Sequence, residues 1–346
     1  MIERIELRPG FSISRIIKGG WQLSYGHSDL GDIDPMEDMG SFVAAGINTF
    51  DCADIYTGVE ELIGQYIRKE RQSGTLNPSL KVLTKFVPDY DKLASINKTY
   101  VESIIDRSLM RLGVERLDMV QFSWWTYDIP GWVDTALWLQ ELQKAGKINL
   151  ISSTNFNTQT TAEIIEAGVD LATVQVQYSL LDQRPEKSLI RLCQQHDTKL
   201  LCYGTVAGGF LSDKWLGQPE PIDALENRSL IKYKLMIDEI GGWNRFQQLL
   251  LLLDNIGRDH NTSLTNIGTR YILDKPQVAG VIIGARNADH IESNLQISRI
   301  VLTDDQKKMI DDFLSELNQP AGDVFDIERD KNGKHGRIMR YNLNED

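Results

Sequence analysis

The stretch Lys147–Gln177, KINLISSTNFNTQTTAEIIEAGVDLATVQVQ, decides the fold. Asn149 to Ser153 is a short apolar and hydroxyl run suited to a buried strand. Thr158 to Ala167 carries apolar residues at helical spacing, Gly168 offers the stop, and Thr173 to Gln177 returns to a strand rich in valine. Strand, helix and strand in so few residues make a parallel unit with a crossover helix.

The same alternation extends in both directions. Further candidate strands are Ile16 to Gly19, Asn48 to Asp51, Lys81 to Lys85, Met119 to Ser123, Lys199 to Tyr203 and Val281 to Gly284, which brings the total to eight. Helical patterns fall between them at Met36 to Ala45, Glu60 to Glu70, Val101 to Leu112, Val133 to Ala145, Pro185 to His196, Trp243 to Asp274 and Ala288 to Ser298. Asn97 and Thr99 supply N-cap oxygens, and Gly46 and Gly146 stand where helices stop. Eight such units predict an α/β protein of the (β/α)8 TIM barrel class, one domain over residues 1–346. The segment at about 206–242 reads as a loop or small insertion after the seventh strand, and the polar tail at about 319–346 is expected to lie outside the barrel or fray.

Composition narrows the function. With 49 Asp and Glu against 37 Lys and Arg the formal charge is -12, which repels a phosphate backbone, so no nucleic acid is expected. No apolar run reaches the roughly 18 residues that span a bilayer. The opening MIERIELRPG is too charged for a secretory signal, so a cytoplasmic address is expected and no membrane partner. Cys52, Cys193 and Cys202 show no CxxC spacing and read as reduced thiols, with no metal site. The glycosylation-like triplets at Asn97, Asn227 and Asn261 read as chance matches. Oligomeric state is left open.

Barrel enzymes carry their reactive side chains at the C-terminal ends of strands. There the sequence places Asp51, with Tyr56 close behind it, then Lys85, Ser123, Trp124 and Trp125, then Ser153, Thr154 and Asn155, then Gln175, Gln177 and Tyr203. A carboxylate, a phenol and an ammonium at neighbouring strand ends suit proton transfer. The ammonium is expected to bring the phenol nearer working pH, and the carboxylate to keep the ammonium charged and directed. Tyr56 is then the proton donor to a carbonyl oxygen. Trp124 and Trp125 are each either core or pocket wall, and His27 is either a loop residue or a partner for the site.

Several motifs resemble the aldo-keto reductases in order and spacing: FDCADIY (50–56), KVLTK (81–85), LDMVQFSWW (117–125), STNF (153–156), VQVQYSLLD (174–182), CYGTVAGGFL (202–211) and IIGARNADHIESN (282–294). The resemblance implies a small-molecule carbonyl substrate and NADP(H). It makes Tyr56 the acid, with Asp51 and Lys85 tuning it. It gives Ser153 or Thr154, Asn155 and Gln175 to the nicotinamide carboxamide and Tyr203 to the nicotinamide ring. Gly20, Trp21 and Gln22, just after the first strand, are expected to bind the cofactor, with a substrate contact or a packing role as the alternatives for Trp21. It also implies that Gly204, Thr205, Val206, Gly208 and Leu211 cover the pyrophosphate, and that Gly284, Ala285, Arg286, His290 and Asn294 hold the adenosine end. Arg286 suits a 2′-phosphate because a guanidinium binds phosphate bidentately. One departure stands out. Where the family usually has His in QFHWW, this chain has Ser123, which leaves a slow or inactive NADPH-binding sensor as the alternative to a reductase.

Overall fold

The structure, a computed structural model, describes residues 2–24, 34–222, 225, 227–284 and 288–344. The chain opens with an antiparallel hairpin, β1 (Arg4–Arg8) and β2 (Phe11–Ser14), turned at Pro9–Gly10. Eight strands follow: β3 (Ile16–Gly19), β4 (Thr49–Asp51), β5 (Lys81–Phe86), β6 (Leu117–Phe122), β7 (Ile148–Thr154), β8 (Leu171–Gln177), β9 (Lys199–Tyr203) and β10 (Val278–Gly284). They close into a barrel in the order β10-β3-β4-β5-β6-β7-β8-β9, every neighbouring pair parallel. The (β/α)8 expectation is met, and strand boundaries differ from those read in the sequence by three residues at most.

Between the strands lie α1 (Pro35–Ala44), α2 (Val59–Ser73), α3 (Lys98–Leu112), α4 (Trp132–Lys144), α5 (Thr158–Glu166), α6 (Leu189–Gln195), α7 (Arg228–Glu239), α8 (Trp243–Asp259) and α9 (Leu264–Leu273). After β10 come α10 (Ile291–Ile297), α11 (Asp304–Ser315) and the short α12 (Asp326–Arg329). Asn97 and Asn227 are N-caps, each accepting from the main chain three residues on, which gives two of the glycosylation-like triplets a structural task. The helical segment expected over Trp243 to Asp274 holds two helices, separated where Asn261 takes φ +50°. The segment at 206–242 contains α7, which packs on the Gly204–Gly209 loop.

Strand periodicity sorts the core into two layers. Phe50, Val82, Val120, Ile151, Val174 and Val176 face the helices, whereas Ile17, Leu83, Met119, Leu150, Ala172, Leu201 and Ala279 fill the barrel interior. The hairpin adds Leu7, Phe11 and Ile13 to that interior cluster. It sits at the strands' N-terminal ends: Ser14 N donates to Thr49 Oγ1 and Arg8 donates to Leu171 O. The barrel is therefore plugged at that end and opens at the other. Close helix packing also demands Gly64, where an added Cβ would stand 2.1 Å from Arg111 O.

The tail departs from expectation. Residues 320–344 fold back across the open end instead of lying outside or fraying. Arg184, 1% exposed, donates Nε and Nη2 to Asp182 at 2.9 and 2.7 Å and both terminal nitrogens to Glu328 at 3.0 Å, locking α12 beside β8. Further on, Asp89 accepts the main-chain N–H groups of Leu343 and Asn344, and Asn344 donates to Val87 O at 2.7 Å. These long-range pairs, not local propensity, give a polar tail its fixed place.

Candidate active site

The open end holds a cavity of about 450 Å³ whose floor is made by strand termini. Alternation puts Leu83 and Lys85 on the same inward face of β5, and Met119, Gln121 and the following Ser123 on that of β6, so the polar residue nearest the strand end reaches the cavity. Lys85 Nζ lies 2.6 Å from Asp51 Oδ2 and donates to Cys52 O at 2.8 Å. The other oxygen of Asp51 accepts from Gln121 Nε2 and Gln175 Nε2, each at 2.7 Å. Tyr56 packs against Trp21 with ring centroids 4.9 Å apart, and Lys85 Nζ stands 5.1 Å from the Tyr56 ring centroid. Asp51, Tyr56, Lys85 and Ser123 thus meet at one floor.

Burial pushes the Tyr56 phenol above its usual value; the Lys85 ammonium pulls the other way and is outweighed. The expectation of a phenol brought toward working pH is corrected: the group is held protonated, the state a proton donor needs. Burial alone would lower the Lys85 ammonium, but the charge of Asp51, supported by Tyr56, wins and raises it. A lysine whose ammonium form is favoured in this way is a poor Schiff-base nucleophile. Burial pushes up the Cys52, Cys193 and Cys202 thiols, Cys193 to about 12, so all three are inert.

The other predicted residues divide. Trp21, Gln22, Thr154, Asn155, Gln175, Tyr203, Gly204, Val206, Gly208 and Gly284 line the cavity. Gly20 lies just beneath, its N–H on Asp51 O at 2.7 Å. Between the alternatives Ser153 and Thr154, it is Thr154 that lines the cavity; Ser153 is fully buried with an unpartnered hydroxyl. Thr205 is buried within the Gly204–Gly209 loop, and Leu211 packs in the core, its carbonyl accepting from Thr265 Oγ1. His290 is exposed and Asn294 is buried in α10; neither lines the cavity. Ala285, Arg286 and His27 lie outside the described residues. Trp124 is core at 1% exposure, and Trp125 is the one that walls the pocket.

Sequence reading missed four contributions. Gln121 holds Asp51. Arg228 and Lys232 of α7 line the cavity beside the glycine loop, and neither makes an ion pair among the described residues. An Asn cap followed by cations one helical turn apart was the signal for them. The tail adds Phe325, Ile338, Met339, Arg340 and Leu343.

Asp54 is the fourth. Its carboxyl accepts from Ile55 N and Val87 N, each at 3.0 Å, tying the loop that carries Tyr56 to the chain leaving β5. Burial, then the charge of Glu60, pushes it up to about 8. A raised carboxyl favours the fold at low pH, and that contribution drains away as pH climbs from about 3.8, where the unfolded group ionises, through about 8. Asp54→Asn is therefore expected to flatten the fall of melting temperature between pH 5 and 8. Parallel pH slopes for the two proteins would contradict the assignment.

As a test of fit, the chemistry of the donors suits a nicotinamide dinucleotide. Asn155 keeps its amide nitrogen available because Tyr203 OH donates to its oxygen at 2.8 Å, and Gln175 has committed its nitrogen and retains its oxygen. Arg228 and Lys232 offer charge for phosphates. Among the described residues no cluster of His, Cys, Asp and Glu has metal-binding geometry, and no helix is long and apolar enough to cross a membrane.

Comparison with known proteins agrees with this geometry. Residues 15–315 match the model of the Aldo/keto reductase family. The NADH-specific methylglyoxal reductase of Escherichia coli is 23% identical over 310 residues, covering 85% of this chain and 92% of that protein. An aldo-keto reductase of Schizosaccharomyces pombe whose name carries NADP(+) is 22% identical over 272 residues, covering 77% of this chain and 78% of that protein. The solved glycerol dehydrogenase of Gluconobacter oxydans superposes with a TM-score of 0.73 at 23% identity, covering 91% of this chain and 95% of that one, a likeness of fold. With a barrel of the right closure, a polar floor at its open end and a family match over most of its length, the chain belongs to the aldo/keto reductase family and is one of its oxidoreductases.

Proposed function

We propose that the protein is an NADP(H)-dependent reductase of aldehyde or ketone carbonyls, with Tyr56 as general acid. The observation that carries this reading is the Asp51–Lys85–Tyr56 cluster on the floor of the cavity. Thr154, Asn155 and Gln175 would hold the carboxamide, Tyr203 the ring, and the Gly204–Gly209 loop with Arg228 and Lys232 the phosphates. A bound reduced nicotinamide would supply the hydride. Tyr56 donates its proton to the carbonyl oxygen, and Lys85, fixed by Asp51, stabilises the phenolate left behind. Trp21, Trp125 and the tail exclude water from that exchange. Arg286 is the group suited to a 2′-phosphate, and the relatives, named for NADH in one case and NADP(+) in another, make the preference a matter for titration. Fluorescence titration with NADPH and NADH, followed by turnover with a panel of small and aromatic aldehydes, tests the reading. Failure to bind either nucleotide would end it.

A slow, cofactor-binding sensor is the second reading, and Ser123 is the observation that favours it. Ser123 lines the cavity just past β6, and no histidine lines it among the described residues. An imidazole there would reach further toward a carbonyl than a hydroxyl does. Ser123→His is expected to raise turnover, by about 10-fold or more if it restores an oriented donor. An unchanged or lower rate would show that the serine is adapted to its own task.

A further inference from the structure

Arg329 is an unusual residue in an unusual place. It projects from α12 in the tail and reaches the ends of two barrel strands, where Nη2 donates to Trp124 O at 3.2 Å and to Asn155 O at 2.5 Å. Its guanidinium carbon lies 4.2 Å from the ring centroid of Tyr127 and 5.2 Å from that of Phe325. Nε and Nη1 are buried with no hydrogen-bond partner, and no carboxylate pairs with Arg329 among the described residues. A guanidinium with two buried nitrogens and no carboxylate in ion-pair contact, only the longer-range charges of Asp326 and Glu328, is costly, and a residue meant only to fasten the tail would be better served by a carboxylate against it. The preceding residue shows that solution: Glu328 takes two hydrogen bonds from Arg184.

What Arg329 touches suggests its task. Asn155 has φ +60°, a left-handed conformation that a side chain other than glycine adopts at some cost. The residue is held there from several sides, by its N–H on Gln175 O at 2.9 Å, by Tyr203 OH on its side-chain oxygen, and by Arg329 on its carbonyl. That conformation turns the Asn155 amide into the cavity. The second carbonyl, Trp124 O, belongs to the residue next to Ser123. One guanidinium therefore spans the chain ends that present Ser123 and Asn155.

We propose that Arg329 is a positioning residue for dinucleotide binding: from the C-terminal tail it fixes the main chain at Asn155, and through it the amide that faces the cavity. The inference rests on the reading of Asn155 as a nicotinamide ligand. It makes the tail part of the binding site as well as its cover.

The test is a double-mutant cycle read by nucleotide binding. Wild type, Arg329→Ala, Arg329→Lys, Asn155→Gly and the Arg329→Ala/Asn155→Gly pair are titrated with NADPH and NADH by fluorescence. Glycine is chosen at 155 because it removes the amide and accepts the positive φ. Arg329→Ala and Arg329→Lys are each expected to weaken binding about 10-fold, the pair no more than Asn155→Gly alone, and added guanidinium at sub-denaturing concentration to recover Arg329→Ala selectively. Unchanged affinity in the Arg329 variants, or additive losses in the pair without rescue, overturns the proposal. If Arg329→Ala does not fold, Arg329→Lys and its pair with Asn155→Gly carry the comparison. A wild type that binds neither nucleotide overturns the functional reading and this inference with it, whereas a wild type that binds while the Arg329 variants match it overturns this inference alone.

Discussion

Tyr56→Phe is expected to lower turnover of any carbonyl substrate by about 10²- to 10⁴-fold while leaving the Kd for nicotinamide nucleotide nearly unchanged. The substitution removes one oxygen and keeps the ring, so the contact with Trp21 and the place over Lys85 survive. What disappears is the protonated hydroxyl that burial maintains. Single-turnover absorbance at the nicotinamide band, alongside a binding titration, separates the two effects. Turnover within a few-fold of wild type would show that another group delivers the proton. A parallel loss of binding would show instead that the ring shapes the cofactor pocket.

Arg184→Met should have the largest effect on stability, a loss of about 3–5 kcal/mol, because it leaves two buried carboxylates without their cation. Asp182 and Glu328 are each 0% exposed in their side chains, and Arg184 satisfies both. In wild type Glu328 sits below its usual range, burial opposing and Arg184 prevailing, while burial keeps Asp182 above its own. Without the guanidinium both carboxyls move upward. Groups with raised folded pKa stabilise at low pH and lose that contribution as pH rises, so the deficit should shrink as pH is lowered from 7 toward 5. Urea unfolding of the variant at the two pH values checks this, and a deficit that is constant or grows on acidification would refute the account. Arg184→Met/Glu328→Gln should recover part of the loss.

The barrel was legible because each strand has one face toward the helices and one toward a filled interior, so short apolar runs repeat with regular spacing. The floor was legible for the same reason: once a strand end is placed, its last inward residue is too, and Asp51, Lys85 and Tyr203 followed. The sign of the Tyr56 shift was not, since it turns on how burial compares with one ammonium, and burial is not written locally. The tail was hidden because its position depends on pairs such as Arg184 with Glu328, 144 residues apart, within a segment whose composition is polar. Helix α7 was lost in a long excursion, although its Asn227 cap was in view as a glycosylation-like triplet. Helix α11 carried a readable signal, the capping box of Thr303 and Gln306, and was passed over.

The hairpin plug and the tail occupy opposite ends of the barrel, and this polarity bears on how the protein should be handled. An affinity tag or fusion partner joined ahead of β1 emerges on the sealed side, far from the cavity. One joined behind Asn344 begins among the residues that roof it, next to Tyr90, Asp89 and Val87. Immobilisation through the N-terminal side leaves the entrance facing solution.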